Sequence, residues 1–180
     1  MRYVALLRAI NVGGHVVKMD ALRSAFEALR FTGVETFIAS GNVVFETAST
    51  AGASELEANI EAWLAQRLGY SVATFLRTPR QLATVVASRP FGAGDPQGSG
   101  HVLSVGFVKA PPSAVAAASL IAFASDVDEF RIIDREIYWR CRGRTSDSKF
   151  SGARMEKMLG APATFRNITT VRKLAMKYAP

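Results

Sequence analysis

The chain has 180 residues, of which 49% are apolar, 21% charged and 9% aromatic, and it carries a formal net charge of +7. A chain of this length buries roughly 70% of the surface its unfolded form exposes, so it needs no covalent or metal staple to fold. Its single cysteine, Cys141, excludes an internal disulfide, two histidines exclude a closed structural zinc site, and the apolar fraction excludes disorder.

The most apolar run, residues 114–124, is 11 residues long, against the roughly 20 that a membrane-spanning helix needs. Arg8 interrupts the opening apolar run before it could act as a signal-peptide core, so a cytoplasmic location and no membrane partner are expected. The charge is unevenly placed. Residues 1–130 carry 10 Lys+Arg and 11 Asp+Glu, whereas residues 131–180 carry 12 and 4, a local excess of +8. That excess fits an anionic partner, and it equally fits a solvated basic face.

Residues 2–9 alternate as a half-buried strand, with Val4 and Leu6 on one face and Tyr3, Ala5 and Leu7 on the other. After a loop with Gly13 and Gly14, the spacing of Met19, Leu22, Phe26 and Leu29 predicts a helix, with Gly33 as its stop signal. Strands are expected at 34–39 and 43–46, joined by a tight turn at Ser40, Gly41 and Asn42. Ser54 is placed to cap the next helix, whose buried face is read as Leu56, Ile60, Trp63, Leu64 and Leu68. A strand at 71–76 and a short helix from Pro79 to about residue 88 follow.

Residues 91–100 hold four glycines and Pro96, which marks a flexible connection. The order then repeats. A strand spans 101–109, and a helix spans 111–123. A hairpin joins 130–133 to 136–142 across Asp134 and Arg135. A helix at 150–159, a short extended piece at 163–166 and a final helix at 168–178 complete the chain. Two successive β-α-β-β-α-β units, each followed by a helix, predict an α+β, duplicated ferredoxin-like architecture. Its halves are residues 1–90 and 101–180, expected to pack as one compact structural unit.

Three stretches could carry chemistry. The first joins strand to helix and offers Asn11, Gly13, Gly14, His15 and Lys18; glycine amides and a helix start suit an anion, although the spacing is not that of a Walker loop. The second is the strand at 136–142, where Ile137, Trp139 and Cys141 share a core face. Tyr138, Arg140 and Arg142 share the other, read as pointing outward and suited to stacking and phosphate contact. A basic, hydroxyl-rich loop with Arg144 and Lys149 continues it, and Ser148 is placed to cap the next helix. The third is Arg166 with Asn167 at the start of the last helix. A cation beside a positive helix end calls for an anion or a neighbouring carboxylate. Each stretch also has a plain structural reading, as loop geometry, solvated charge or capping. Cys141 reads as a buried, inert thiol, and no carboxylate pair stands out for acid–base work.

Several of these segments resemble a bacterial family catalogued as "domain of unknown function 1697". Residues 6–14 are similar to its opening Leu-Leu-Arg-Gly-Ile-Asn-Val-Gly-Gly pattern, with Ala9 in place of a glycine. Lys18-Met19, the stretch from Ser40 to Phe45, Ser148-Lys149 and Glu156-Lys157 match as they stand. In the ending, Arg166, Asn167, Thr170, Val171, Lys173 and Leu174 agree, whereas Phe165, Ile168 and Thr169 depart. The resemblance implies an α+β fold and brings no established activity with it.

The sequence therefore leads to an expected phosphate-bearing or otherwise anionic small ligand, with no cofactor and no metal, in a basic cleft between the halves. Asn11, Gly13, Gly14 and Lys18 would form one side, and Arg142, Arg144, Lys149, Arg166 and Asn167 the other. Two further readings stand beside it: an enzyme acting on a phosphorylated metabolite with Lys18 or His15 moving a proton, and nucleic-acid binding through the Tyr138–Arg140–Arg142 face.

Overall fold

The computed structural model describes residues 1–8, 10–11, 16–38, 41–92 and 100–180. The expected Gly13-Gly14 loop with His15, Ser40 of the expected turn, and residues 93–99 of the expected connection lie outside these. In chain order the elements are β1 (Arg2–Leu7), α1 (Met19–Ala28), β2 (Thr32–Thr36), β3 (Asn42–Glu46), α2 (Ala53–Leu68), β4 (Thr74–Arg77) and α3 (Pro79–Ala87). They continue with β5 (His101–Phe107), α4 (Ala114–Ala122), β6 (Asp128–Ile133), β7 (Glu136–Arg142), α5 (Gly152–Leu159), β8 (Thr164–Asn167) and α6 (Ile168–Lys177). The strands form two four-stranded sheets, ordered β2-β3-β1-β4 and β6-β7-β5-β8, with every neighbouring pair antiparallel. This is the duplicated, ferredoxin-like α+β arrangement that the element order predicts. Contacts divide the chain into one unit of residues 1–82 with 178–180, and another of residues 83–177.

In the first unit, Tyr3, Ala5 and Leu7 of β1 join Phe26, Phe45, Ile60 and Leu64 in one apolar cluster. The helix spacing explains the partners: Leu22, Ala25 and Phe26 fall on one face of α1. Phe45 lies 4.3 Å from Phe31 and 5.6 Å from Phe26, centroid to centroid. β1 is not half-buried. Val4 and Leu6, on its second face, are as buried as the first set, as befits a central strand that is apolar on both faces.

Several boundaries differ from expectation for identifiable reasons. α1 stops at Ala28 because Arg30 takes a left-handed φ of 62°; Gly33, the expected stop, lies within β2. β2 begins earlier than expected, at Thr32, and its pairing with β3 shifts between Thr32 and Glu35. The position of Gly41, at φ 71°, strongly favours glycine, since a Cβ there would stand 2.8 Å from Ile10 Cγ2 and force it to shift. α2 starts one residue before Ser54, so its N-cap is Gly52, without a side-chain cap. Trp63 and Leu68 are half-buried rather than core, and the Trp63 indole donates to the Ala25 carbonyl at 2.8 Å. The expected strand at 71–76 is β4, which gains its amide partners from α2: Thr74 N donates to Glu61 at 2.7 Å and Leu76 N to Glu57 at 2.8 Å.

In the second unit, Ile137, Trp139 and Cys141 of β7 face a cluster with Leu120, Phe130, Phe150 and Met155, as the alternation predicts. Tyr138 does not point outward to solvent. It is 1% exposed, and its hydroxyl donates to the Val85 carbonyl at 3.4 Å. α4 begins at Ala114, after both prolines, because Ser113 caps it through the Ala116 amide. α5 is capped by Ser151 rather than Ser148, whose hydroxyl is committed to Asp128.

Candidate functional site

The hairpin of β6 and β7 builds a compact group of charges. Its two-residue turn pairs Ile133 with Glu136, and counting back along the ladder sets Glu129 opposite Arg140. Because side chains alternate at a period of two, Arg131 and Arg142 fall on the same face as that pair. The Glu129 carboxylate receives Arg131 at 2.8 Å, Arg142 at 3.4 Å, and a short hydrogen bond from Arg140. The Phe91 ring lies 4.5 Å from the Arg140 guanidinium carbon and 5.5 Å from that of Arg131, a cation–π arrangement. Arg131 and Arg142 keep about half of their side-chain surface, 48% and 49%, open to solvent.

Among the described residues three guanidiniums meet one carboxylate here, a surplus of two positive charges. Burial acts to raise the Glu129 carboxyl, but the Arg140 hydrogen bond and the charges of Arg140, Arg131 and Arg142 outweigh it and hold the group below its ordinary range. His101 stands opposite Arg142 in the ladder, and its Nδ1 is buried with no hydrogen-bond partner among the described residues.

The residues singled out by sequence fall in different places. Asn11 and Lys18 belong to the first unit. The Asn11 carboxamide oxygen accepts from Val17 N at 2.7 Å, and exposed Lys18 holds an extended backbone at the N-cap of α1. In the second unit, Arg142 joins the group around Glu129, and its Nη1 donates to the Asp126 carbonyl at 3.2 Å. Exposed Arg144 pairs with Asp147 at 3.6 Å. Exposed Lys149 lines a cleft with Asp126 and Asp128.

Arg166 lies on β8, the edge strand opposite β6, on the other side of β5 and β7 from Glu129. It is 7% exposed and donates to Thr164 Oγ1 and the Phe165 carbonyl, both at 2.8 Å. Burial lowers its pKa to about 10. The cation is thus turned back onto its own strand. Exposed Asn167 accepts from Thr169 N at 2.8 Å, an ordinary local cap. Cys141 is buried, and desolvation, with the charges of Asp128 and Asp147, pushes its thiol up. Among the described residues no group of His, Cys, Asp or Glu could hold a metal ion. Nor is any of their helices long and apolar enough to cross a membrane.

Residues 1–138 match the family described as "Protein of unknown function (DUF1697)". The chain belongs to this family. Among solved structures it is similar to the conserved bacterial protein SP0830 from Streptococcus pneumoniae. The two share 22% identity and a TM-score of 0.72, over 99% of this chain and 98% of the other. That likeness shows the fold. No curated protein matches the chain.

Sequence reasoning named Arg140 and Arg142 but passed over Glu129, Arg131 and Phe91. The signal was present: once Asp134-Arg135 is read as a two-residue turn, the register that sets Glu129 against Arg140 follows by counting.

Proposed function

We propose that this member of the DUF1697 family binds a phosphate-bearing small molecule, and that the arginines around Glu129 form its anion-binding surface. The observation that carries the reading is the surplus of cations: Arg131, Arg140 and Arg142 converge on a single carboxylate. Arg131 and Arg142 reach solvent, and a guanidinium offers a planar fork that matches phosphate oxygens. Arg140 is pinned by Glu129 and Phe91, which pre-orders the surface at little further entropic cost. His101 Nδ1, without a hydrogen-bond partner among the described residues, adds a polar atom beside Arg142. The nucleic-acid reading loses its stacking tyrosine, because Tyr138 is buried.

Thermal unfolding tests this. Inorganic phosphate, pyrophosphate and nucleoside phosphates, compared with chloride at equal ionic strength, should raise the melting temperature of the full chain. A ligand at a hundred times its Kd contributes about 2.7 kcal/mol, a rise of several degrees for a chain of this size. Arg131→Ala and Arg142→Ala, both at half-exposed positions, should fold normally and lose most of the rise. No shift with any of these anions would overturn the proposal.

A further inference from the structure

Beside the β6–β7 hairpin, the second unit carries a cleft of about 400 Å³, lined by Phe123, Asp126, Val127, Asp128, Asp147 and Lys149, among others. That volume lies within the range of roughly 300–1,000 Å³ typical of small-molecule sites. Its floor is built before any ligand arrives. Asp128 is 3% exposed, and its carboxylate accepts the Trp139 indole N–H at 2.7 Å and the Ser148 hydroxyl at 2.8 Å. The Ser125 hydroxyl lies 3.5 Å from the same carboxylate, and the Asp128 amide donates to Ser125 Oγ at 3.0 Å. One buried carboxylate therefore ties together the 123–128 turn, the 145–149 loop and the core, which are the walls of the cleft. Asp128 is saturated by these donors and acts as a brace.

The charges left over are opposite and unmet. Asp147 has Arg144 at 3.6 Å. Among the described residues the Asp126 carboxylate and the Lys149 ammonium make no ion pair, although both line this one cleft. Both are exposed, so each is open to a ligand group of opposite charge. Phe123 and Val127 add apolar surface to the same cleft. A simple anion would face three carboxylates against one ammonium, so the cleft does not suit the phosphate-bearing ligand proposed above.

We infer that this cleft binds a small zwitterion of the free amino-acid type, its ammonium on Asp126, its carboxylate on Lys149 and an apolar side chain against Phe123 and Val127. The inference does not rest on the anion surface around Glu129, although Arg142 of that surface donates to the Asp126 carbonyl.

Titration calorimetry and protein-observed NMR on the full chain test it, with a panel of free apolar amino acids as probes. Leucine and phenylalanine are each compared with their N-acetyl and carboxamide derivatives. At least one free amino acid should bind, and each blocked derivative should bind at least about tenfold more weakly, the equivalent of 1.4 kcal/mol. Asp126→Asn should abolish discrimination against the N-acetyl form, and Lys149→Met discrimination against the carboxamide. Both residues are exposed, so the variants should fold as the parent does. Arg131→Ala should leave this binding untouched, which separates its failure from failure of the anion surface. Equal binding of free and blocked forms, unchanged discrimination in both variants, or no free amino acid bound would each overturn the inference.

Discussion

The two sheets share a strand order and, around their central strands β1 and β5, a pairing register; β2 has an irregularity that β6 lacks. Val4 stands between Val44 and Arg77, and Val105 stands between Tyr138 and Arg166. Both arginines are buried, and each donates Nη1 to the carbonyl of the residue before it, at 2.8 Å in both cases. Two of the differences between the units lie at neighbouring positions of the third strand. Phe45 in the first corresponds to Trp139 in the second, and Glu46 corresponds to Arg140. A phenyl ring needs no polar partner and sits among Tyr3, Phe26 and Phe31. An indole carries its N–H into the core, where an unmet donor is costly, and Asp128 meets it. Glu46 makes a neutral pair with Arg2, whereas Arg140 belongs to a group with a surplus of two cations. The same scaffold thus serves as plain packing in one half and carries the candidate sites in the other.

The largest expected effect tests the first difference. Asp128→Ala strands the indole N–H and the Ser148 hydroxyl and should cost about 3 kcal/mol in chemical denaturation. In a Trp139→Phe background, which copies the first unit, the cost should fall by roughly 1 kcal/mol. An undiminished cost would break the link between indole and carboxylate.

A smaller effect is expected where β5 differs from β1. Gly106 takes the place of Ala5 because a Cβ there would stand 3.0 Å from both Met155 Cε and Phe165 Cε1. Gly106→Ala should therefore destabilise by about 1–3 kcal/mol through overpacking, and a gain in stability would show that the cluster has room to give.

The smallest effect separates Glu129 from Glu46. At neutral pH, Glu129→Gln should cost roughly 1 kcal/mol, and Glu46→Gln, in an exposed pair, less. The Glu129 carboxyl is held down in the folded state, so its contribution is fully present above the unfolded value of about 4.3. It is lost as pH falls through the lower folded value. The denaturation midpoints of wild type and Glu129→Gln should converge over that acid range; a constant gap would contradict the assignment.

Much of the architecture was legible because both halves announce themselves by order: strand, helix, hairpin, helix, strand. The helix faces of α1 and the inward set on β7 followed from periodicity alone. Tyr138 did not, because alternation tells which residues share a face but not that α3, through the Val85 carbonyl, covers that face. Ser54 and Ser148 are plausible caps by residue type, yet tertiary demands placed Gly52 and Ser151 there instead. Arg166 shows the same limit of local reading. The proximity of a helix start suggested an anion, while the side chain turns inward to Thr164 and Phe165. The Glu129 group lay within reach of the sequence, since it needs only the hairpin register. The Asp126–Lys149 cleft did not, since it depends on two loops joined through Asp128.

The proposed role of the guanidiniums around Glu129 is to hold a phosphate group. Titration calorimetry of pyrophosphate into the wild-type chain and into the Arg131→Ala/Arg142→Ala double variant tests it most directly. Binding to the wild type should saturate, weaken with added salt and be lost in the double variant. Identical isotherms for the two proteins would contradict it.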